Sequence, residues 1–255
     1  MTVHALNESD ALDAVKQTKI DLAASHRLAT IHELEEGIDN HFTVTLPGYD
    51  DRYLILPFGW HWAEAKASHM ITFDETGQTL DGEGSVELSA LCIHAPIHRI
   101  TGARVVLHTH QTWATALNML EDNRLIPASQ TAAFFHGKVV YDDTYMGTAD
   151  VTGEGERLGF LLKRGCHTMF MRNHGVLVIG ETVGQAYQRL YLLERVCKAQ
   201  IIAMSTGRSL LPINDDVIQQ VQAPAANDLH RSARTRLFFE AMKRIVDREL
   251  PGYAT

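Results

Sequence analysis

Apolar and polar positions along the chain switch repeatedly between a helical rhythm and a strand rhythm. From residue 8 to about 36 the spacing is helical, with Ala11, Leu12 and Val15 on one face. Two helices are expected there, with Ser9 as the N-cap. "HFTVTLPG" alternates as a strand over 42–46, and "DRYLILPFG" supplies a second strand closed by Pro57 and Gly59. The "PGYDD" between them is turn chemistry, so the two read as a hairpin. A strand at 69–73 leads into a Gly/Asp-rich turn, and residues 88–100 read as helix. "VVLHTHQTWATALNML" (105–120) begins as an apolar strand and ends as a helix from about 112. A strand at 138–141 and a helix at 154–164 come next. "TMFMRNHGVLVIG" gives two apolar strands interrupted at Asn173, His174 and Gly175, and a long helix capped by Thr182 runs to about 205. The linker-like "APAAND" precedes a last helix over 228–249. It divides a main domain, 1–221, from a C-terminal helical arm, 222–255. Hairpins interleaved with helices predict an α/β fold with a largely antiparallel, mixed sheet covered by helices.

The first candidate chemistry lies where the strand at 105 runs out. Residues i and i+2 of a strand point the same way, so His108 and His110 project side by side from its end. Two imidazoles so placed can share a divalent metal, or can be two hydrogen-bonded histidines at a strand edge. His174 repeats the arrangement: an apolar strand ends at a histidine, and Gly175 permits a close backbone approach or a positive φ. Three neutral imidazoles that leave coordination positions open are the ligand set of a catalytic metal site.

Composition narrows the function classes. A net charge of −8 argues against a dedicated nucleic-acid binder. The three cysteines, Cys92, Cys166 and Cys197, form no CxxC pair, so neither a disulfide framework nor a thiolate zinc site is expected. "MTVHALNESDALDAVK" lacks the pattern of a secretory leader, and no apolar run reaches the length of a membrane span. A cytoplasmic protein with no membrane partner is expected.

Four segments then resemble the class II aldolase/adducin family: "LILPFGWHWAEAKASHMITFD", "CIHAPIHRITGARVVLHTH", "SQTAAFF" and "MRNHGVLVIGETVGQAYQRLYLLERVCKAQ". They occur in the family's order across most of residues 25–205. The resemblance implies a three-layer α/β/α fold with a mostly antiparallel mixed sheet. It implies a homotetramer with active sites at subunit interfaces, and one divalent metal per chain on His108, His110 and His174. Zinc is the first expectation, and manganese, iron or cobalt suits the same ligands.

The sequence departs from the sugar-phosphate aldolases of that family. Their glutamate base falls at Ser89, with Glu87 two residues earlier, and their tyrosine acid falls near Thr131, next to Gln130. Their phosphate pocket corresponds to Phe58, Glu87, Leu88 and His41, and a phenylalanine and a glutamate are poor hosts for a phosphate dianion. His41 and Glu64 are more similar to the branch acting on non-phosphorylated acids, which includes metal-dependent decarboxylases. His41 is therefore a candidate acid/base or a satisfied hydrogen-bonding histidine. Glu64 is a candidate pocket carboxylate or a helix N-terminal one, and Glu87 a candidate to complete the metal shell. Phe58 is a candidate substrate contact, and Gln130 and His136 are candidates to reach a neighbouring subunit's site. Tyr187, Leu190, Tyr191 and Glu194 read as a packing stripe. The leading expectation is a divalent-metal-dependent carbon–carbon lyase, a decarboxylase or retro-aldolase, acting on a small non-phosphorylated oxo- or hydroxy-acid. A non-haem Fe(II) oxygenase on the same histidines is one alternative, and a non-catalytic adducin-like interaction domain is the other.

Overall fold

Strand alternation sorts the side chains of one sheet onto two faces, and each face is covered by helices. The computed structural model describes residues 8–144, 147, 153–223 and 228–255. Its elements are α1 (Glu8–Ile31), β1 (His41–Thr45), β2 (Arg52–Ile55), β3 (Ile71–Asp74), β4 (Thr79–Asp81), α2 (Leu88–Thr101), β5 (Val105–Thr109), α3 (Thr112–Asn118), α4 (Gln130–Ala133), β6 (Val139–Asp142), α5 (Glu154–Leu162), β7 (Thr168–Met171), β8 (Val176–Gly180), α6 (Val183–Met204), α7 (Asp215–Gln222) and α8 (Asp228–Glu249). The eight strands lie in the order β4-β3-β2-β1-β5-β8-β7-β6. All neighbours are antiparallel except β6 and β7.

Phe42, Val44, Leu107 and Val178 face one way and cluster with Leu22 and Leu28 of α1 and with Tyr187 and Leu190 of α6. Val106, Leu177 and Ile179 face the other way, onto Ile93 and Ile97 of α2 and Leu158 and Leu162 of α5. The result is the expected three-layer α/β/α arrangement with a mostly antiparallel mixed sheet. α5 lies close on α2 because Gly155 has no Cβ; one built there would stand 2.2 Å from the Cys92 carbonyl oxygen. Among the described residues no helix is long and apolar enough to cross a membrane.

The ends of the chain differ from expectation. One helix, not two, covers 8–31, and the chain leaves it through a turn in which Glu33 takes φ +56°. Ser9 lies inside that helix. The C-terminal segment is docked, not a free arm. Phe239, Val246 and Tyr253 are buried in the core cluster against α1 and α6. Lys243 pairs with Asp21 at 3.1 Å. The Arg27 guanidinium donates to the Leu250 carbonyl at 3.0 Å and to that of Pro251. The last residues clip onto the loop before β3, where the Ala67 and Ser68 N–H groups donate to the carbonyls of Tyr253 and Thr255 at 2.8 and 2.9 Å.

Candidate metal centre

β5 runs between β1 and β8, so His108 sits in the middle of the sheet, opposite His41 on one side and Leu177 on the other. His110 stands just past the strand end. His174 occupies the β7–β8 turn, where Asn173 takes φ +56°, a left-handed conformation that asparagine tolerates. Gly175 supplies the close approach foreseen for it, without a positive φ. A Cβ there would stand 2.5 Å from the Thr109 carbonyl oxygen, 2.7 Å from His110 Cδ2 and 3.1 Å from His108 Cε1. α3 holds the turn in place: Asn118 Nδ2 donates to the Met171 carbonyl and, at 3.1 Å, to that of Gly175. α3 is itself capped by Glu194, whose carboxylate accepts from the Trp113 and Ala114 N–H groups at 2.8 and 3.0 Å. Glu194 is therefore more than a member of a packing stripe.

The three imidazole rings form a nearly equilateral triangle, with centroid separations of 4.9, 4.8 and 4.7 Å. One ligand atom from each lies within 4.8 Å of the others. The second nitrogens decide what the rings can do. A carbonyl oxygen only accepts, so His108 Nδ1, 3.0 Å from the Val176 oxygen, carries its proton and leaves the Nε2 lone pair free. His110 Nδ1 donates to Glu36 Oε2 at 2.5 Å, so its Nε2 is the nitrogen turned toward His108. The two Nε2 atoms face each other at 3.1 Å. Between two neutral rings such an approach is repulsive unless a cation lies between them. A tetrahedral centre with bonds of about 2.0–2.1 Å sets neighbouring nitrogens roughly 3.3 Å apart. Burial and the neighbouring imidazoles push His108 well below its ordinary pKa, and burial first, then His110, brings His174 down to about 4. Both are neutral ligands at neutral pH, and the donor set fits a divalent metal.

Glu36 is the residue that sequence reasoning missed here. It stands far from His110 in the chain, and only folding joins them. Asn40 ties the pair together, since its Oδ1 accepts from the Glu36 N–H at 3.0 Å and from the His110 N–H at 3.3 Å. Carboxylates that orient ligating histidines contribute about 10–100-fold to metal affinity. Glu36→Ala is expected to weaken zinc binding by that factor, measured by competition with a chromophoric chelator, with the unfolding midpoint of the metal-free protein little changed.

Of the other candidates, His41 and Glu87 come together beside the triad. The His41 ring lies 5.0 Å from that of His108 and its Nε2 lies 3.6 Å from Glu87 Oε2. Glu87 precedes α2 and turns toward His41 instead of joining the three histidines. Ser89, at the position of the aldolase glutamate, bridges the two. Its Oγ is 3.1 Å from His41 Nε2 and 2.5 Å from Glu87 Oε1. Phe58, half exposed, lines a cleft with Ile38, Asn40, His41, Trp60 and Glu87. Glu64 lies on the short helical turn Trp62–Glu64, where its carboxylate accepts from the His61 N–H at 3.2 Å and closes a capping box. Gln130 opens α4, which packs on α6 and α7, and His136 follows it; both are exposed. Within one chain neither joins the triad.

The profile of the class II aldolase and adducin N-terminal domain matches residues 20–201. The chain belongs to that family. A solved aldolase II superfamily protein from Pseudomonas syringae superposes with a TM-score of 0.87 at 31% identity, covering 95% of this chain and 96% of its own. A Pseudomonas aeruginosa protein named for aldolase class 2 is 29% identical over 241 residues, 93% of this chain and 92% of its own. Decarboxylase NovR of Streptomyces niveus is 29% identical over 177 residues, 68% of this chain and 64% of its own. The class II aldolase/adducin family thus includes enzymes of carbon–carbon bond cleavage as well as adducins, and this member has a three-histidine cluster.

Proposed function

We propose that this chain is a divalent-metal-dependent carbon–carbon lyase, a retro-aldolase or decarboxylase, for a small non-phosphorylated oxo- or hydroxy-acid. The observation that carries the reading is the convergence of one ligand nitrogen each from His108, His110 and His174 within 4.8 Å, with His41 and Glu87 next to them. His108, His110 and His174 would hold the metal, zinc by first expectation. When bound, such a cation supplies Lewis-acid polarisation of an oxygen on the reacting group. The chain's own residues do the rest. In a retro-aldol reaction His41 Nε2 takes the proton of the substrate's hydroxyl, the bonding pair of the breaking carbon–carbon bond passes into the neighbouring oxo group, and the proton returns to carbon. Ser89 and Glu87 hold that proton in transit. Phe58 and Trp60, both partly exposed, offer the substrate an apolar or aromatic contact. Among the described residues lining the cleft none is lysine or arginine, which favours an unphosphorylated substrate. A homotetramer would bring the exposed Gln130 and His136 of one subunit toward the site of another.

Protein purified without a histidine tag or chelator tests the reading. Elemental analysis is expected to find close to one divalent metal per chain. Zinc- or manganese-loaded protein is expected to release pyruvate from 4-hydroxy-2-oxo-4-phenylbutanoate or from oxaloacetate, and His41→Phe or chelation should lower the rate at least 100-fold. Metal far below one equivalent with no turnover would favour a binding module. Oxygen uptake by the ferrous protein, coupled to substrate loss, would favour an oxygenase.

A further inference from the structure

Between the sheet and α2 lies a second set of histidines that the proposed reaction does not itself use. β1 alternates so that His41, Thr43 and Thr45 turn away from the core cluster of Phe42 and Val44 and toward α2, which presents His94 and His98 one turn apart. All five residues are buried. Four of them are joined end to end, from His41 Nδ1 to His94 Nε2 at 2.8 Å and from His94 Nδ1 to Thr43 Oγ1 at 2.7 Å. The chain continues from Thr43 Oγ1 to His98 Nε2 at 2.8 Å and from His98 Nδ1 to the Ala103 carbonyl oxygen at 2.7 Å.

The last link sets the direction of all the others. The Ala103 oxygen can only accept, so His98 Nδ1 carries the proton. Burial takes His98 down to about 4 and His94 further, so each ring is neutral and holds one ring proton. His98 Nε2 is then a lone pair and must receive the hydroxyl proton of Thr43. Having donated its one proton, Thr43 Oγ1 must accept from His94 Nδ1. His94 Nε2 is therefore a lone pair and accepts from His41 Nδ1–H. His41 is left with its Nε2 lone pair aimed at Ser89 and Glu87. Acceptors outnumber donors at that end. His41 Nε2 and two carboxylate oxygens share one serine proton, and Glu87 Oε2 is buried without a hydrogen-bond partner. The opposite tautomer of His41 would break the buried hydrogen bond to His94 and set two lone pairs against each other.

We propose that His98, Thr43 and His94 form a one-way hydrogen-bond chain, anchored on the Ala103 carbonyl, that holds His41 in the tautomer whose Nε2 is open to receive a substrate proton. They are positioning residues, since none of them lies on the cleft. The proposal rests on His41 being the proton carrier of the lyase, but the direction of the chain is a property of the protein that can be seen without turnover.

Neutron diffraction from deuterium-exchanged, zinc-loaded protein reads the ring protons directly. The expected map places deuterium on Nδ1 of His41, His94 and His98, and none on Nε2 of His94 or His98. Deuterium on His94 Nε2, with His41 Nδ1 bare, would overturn the proposal. Thr43→Val keeps the side-chain shape and cuts the chain. It is expected to lose the uniform Nδ1 pattern and to lower kcat for pyruvate release at least tenfold, with KM nearly unchanged. Thr43→Ser restores a hydroxyl and is expected to recover both. Wild-type kcat in Thr43→Val would defeat the positioning role. If the proton pattern is as stated but neither wild type nor Thr43→Ser turns over a probe, the chain's direction stands and the lyase reading falls.

Discussion

Gly175→Ala is expected to abolish tight metal binding while leaving a folded protein. The added methyl would stand 2.5 Å from the Thr109 carbonyl oxygen, and that oxygen belongs to β5 where it pairs with β8, so it cannot withdraw without opening the centre of the sheet. The other two neighbours, His110 Cδ2 at 2.7 Å and His108 Cε1 at 3.1 Å, are the ligand rings themselves. Relief is available only by turning those rings or by lifting the 173–175 turn that carries His174. Either movement breaks a geometry already fixed by the Val176 carbonyl, Glu36 and Asn118. The cost to the fold is that of an overpacked core position, about 1–3 kcal/mol. The cost to the site is larger, because either movement displaces at least one ligand. Zinc affinity should fall at least 100-fold, roughly 2.7 kcal/mol or more of binding free energy. Chelator competition measures it, with far-UV circular dichroism and the unfolding midpoint as controls for the fold. Unchanged affinity in a folded variant would show that the three rings do not bind one ion together.

The parts of this site legible in the sequence are those that depend on local periodicity. His108 and His110 share a direction because strand side chains alternate, and His174 interrupts two apolar runs that read as strands. The partners that fix the rings were not legible. Glu36 and Asn40 meet His110 because the chain leaves α1 into β1 beside β5, and that neighbourhood is a matter of topology. The His94/His98 pair lies between these cases. Its spacing of four residues is visible in "CIHAPIHRI", and "HFTVT" shows polar residues alternating with apolar ones. Only the sheet order, which lays α2 over β1, turns the two patterns into one chain of hydrogen bonds. The docked C-terminal helix was obscured by a Pro/Ala-rich linker that resembles a boundary, whereas its partners on α1 and α6 are far off in sequence. α7 was missed because it has only eight residues, and its start is signalled mainly by Asn214, whose side chain accepts from the Val217 N–H.

Metal-free protein is expected to lose most of its stability between about pH 6.5 and pH 4, above the range in which carboxylates usually drive acid unfolding. His26 and His98 are fully buried, and desolvation takes each from an ordinary 6.5 to about 4. Above pH 6.5 both are neutral whether the chain is folded or unfolded, and they add no pH dependence. Below it the unfolded chain binds protons that the folded protein refuses, so stability falls as pH drops until the folded protein takes the protons as well, near pH 4. Each contributes roughly 3 kcal/mol at about 1.36 kcal/mol per pH unit, and His94, held lower still, adds to them. Asp74 and Asp143, held below the usual carboxylate range by their hydrogen bonds, lose their contribution only at lower pH. Asp21 and Glu194 are raised by burial and work in the opposite direction. A domain whose total stability is about 5–15 kcal/mol does not survive that loss intact. Urea unfolding of the EDTA-treated protein at pH 7.5 and pH 4.5 should show a drop of roughly 4 kcal/mol or more. His26→Phe separates the cause from general acid sensitivity. The ring lies among Phe42 and Trp62, at centroid distances of 5.0 and 4.9 Å, so phenylalanine can replace it while giving up one hydrogen bond to the Leu22 carbonyl. The variant is expected to be less pH-sensitive by about one bound proton over this interval. An identical pH dependence in the variant and the wild type would mean that His26 is not one of the groups whose refusal of a proton destabilises the fold.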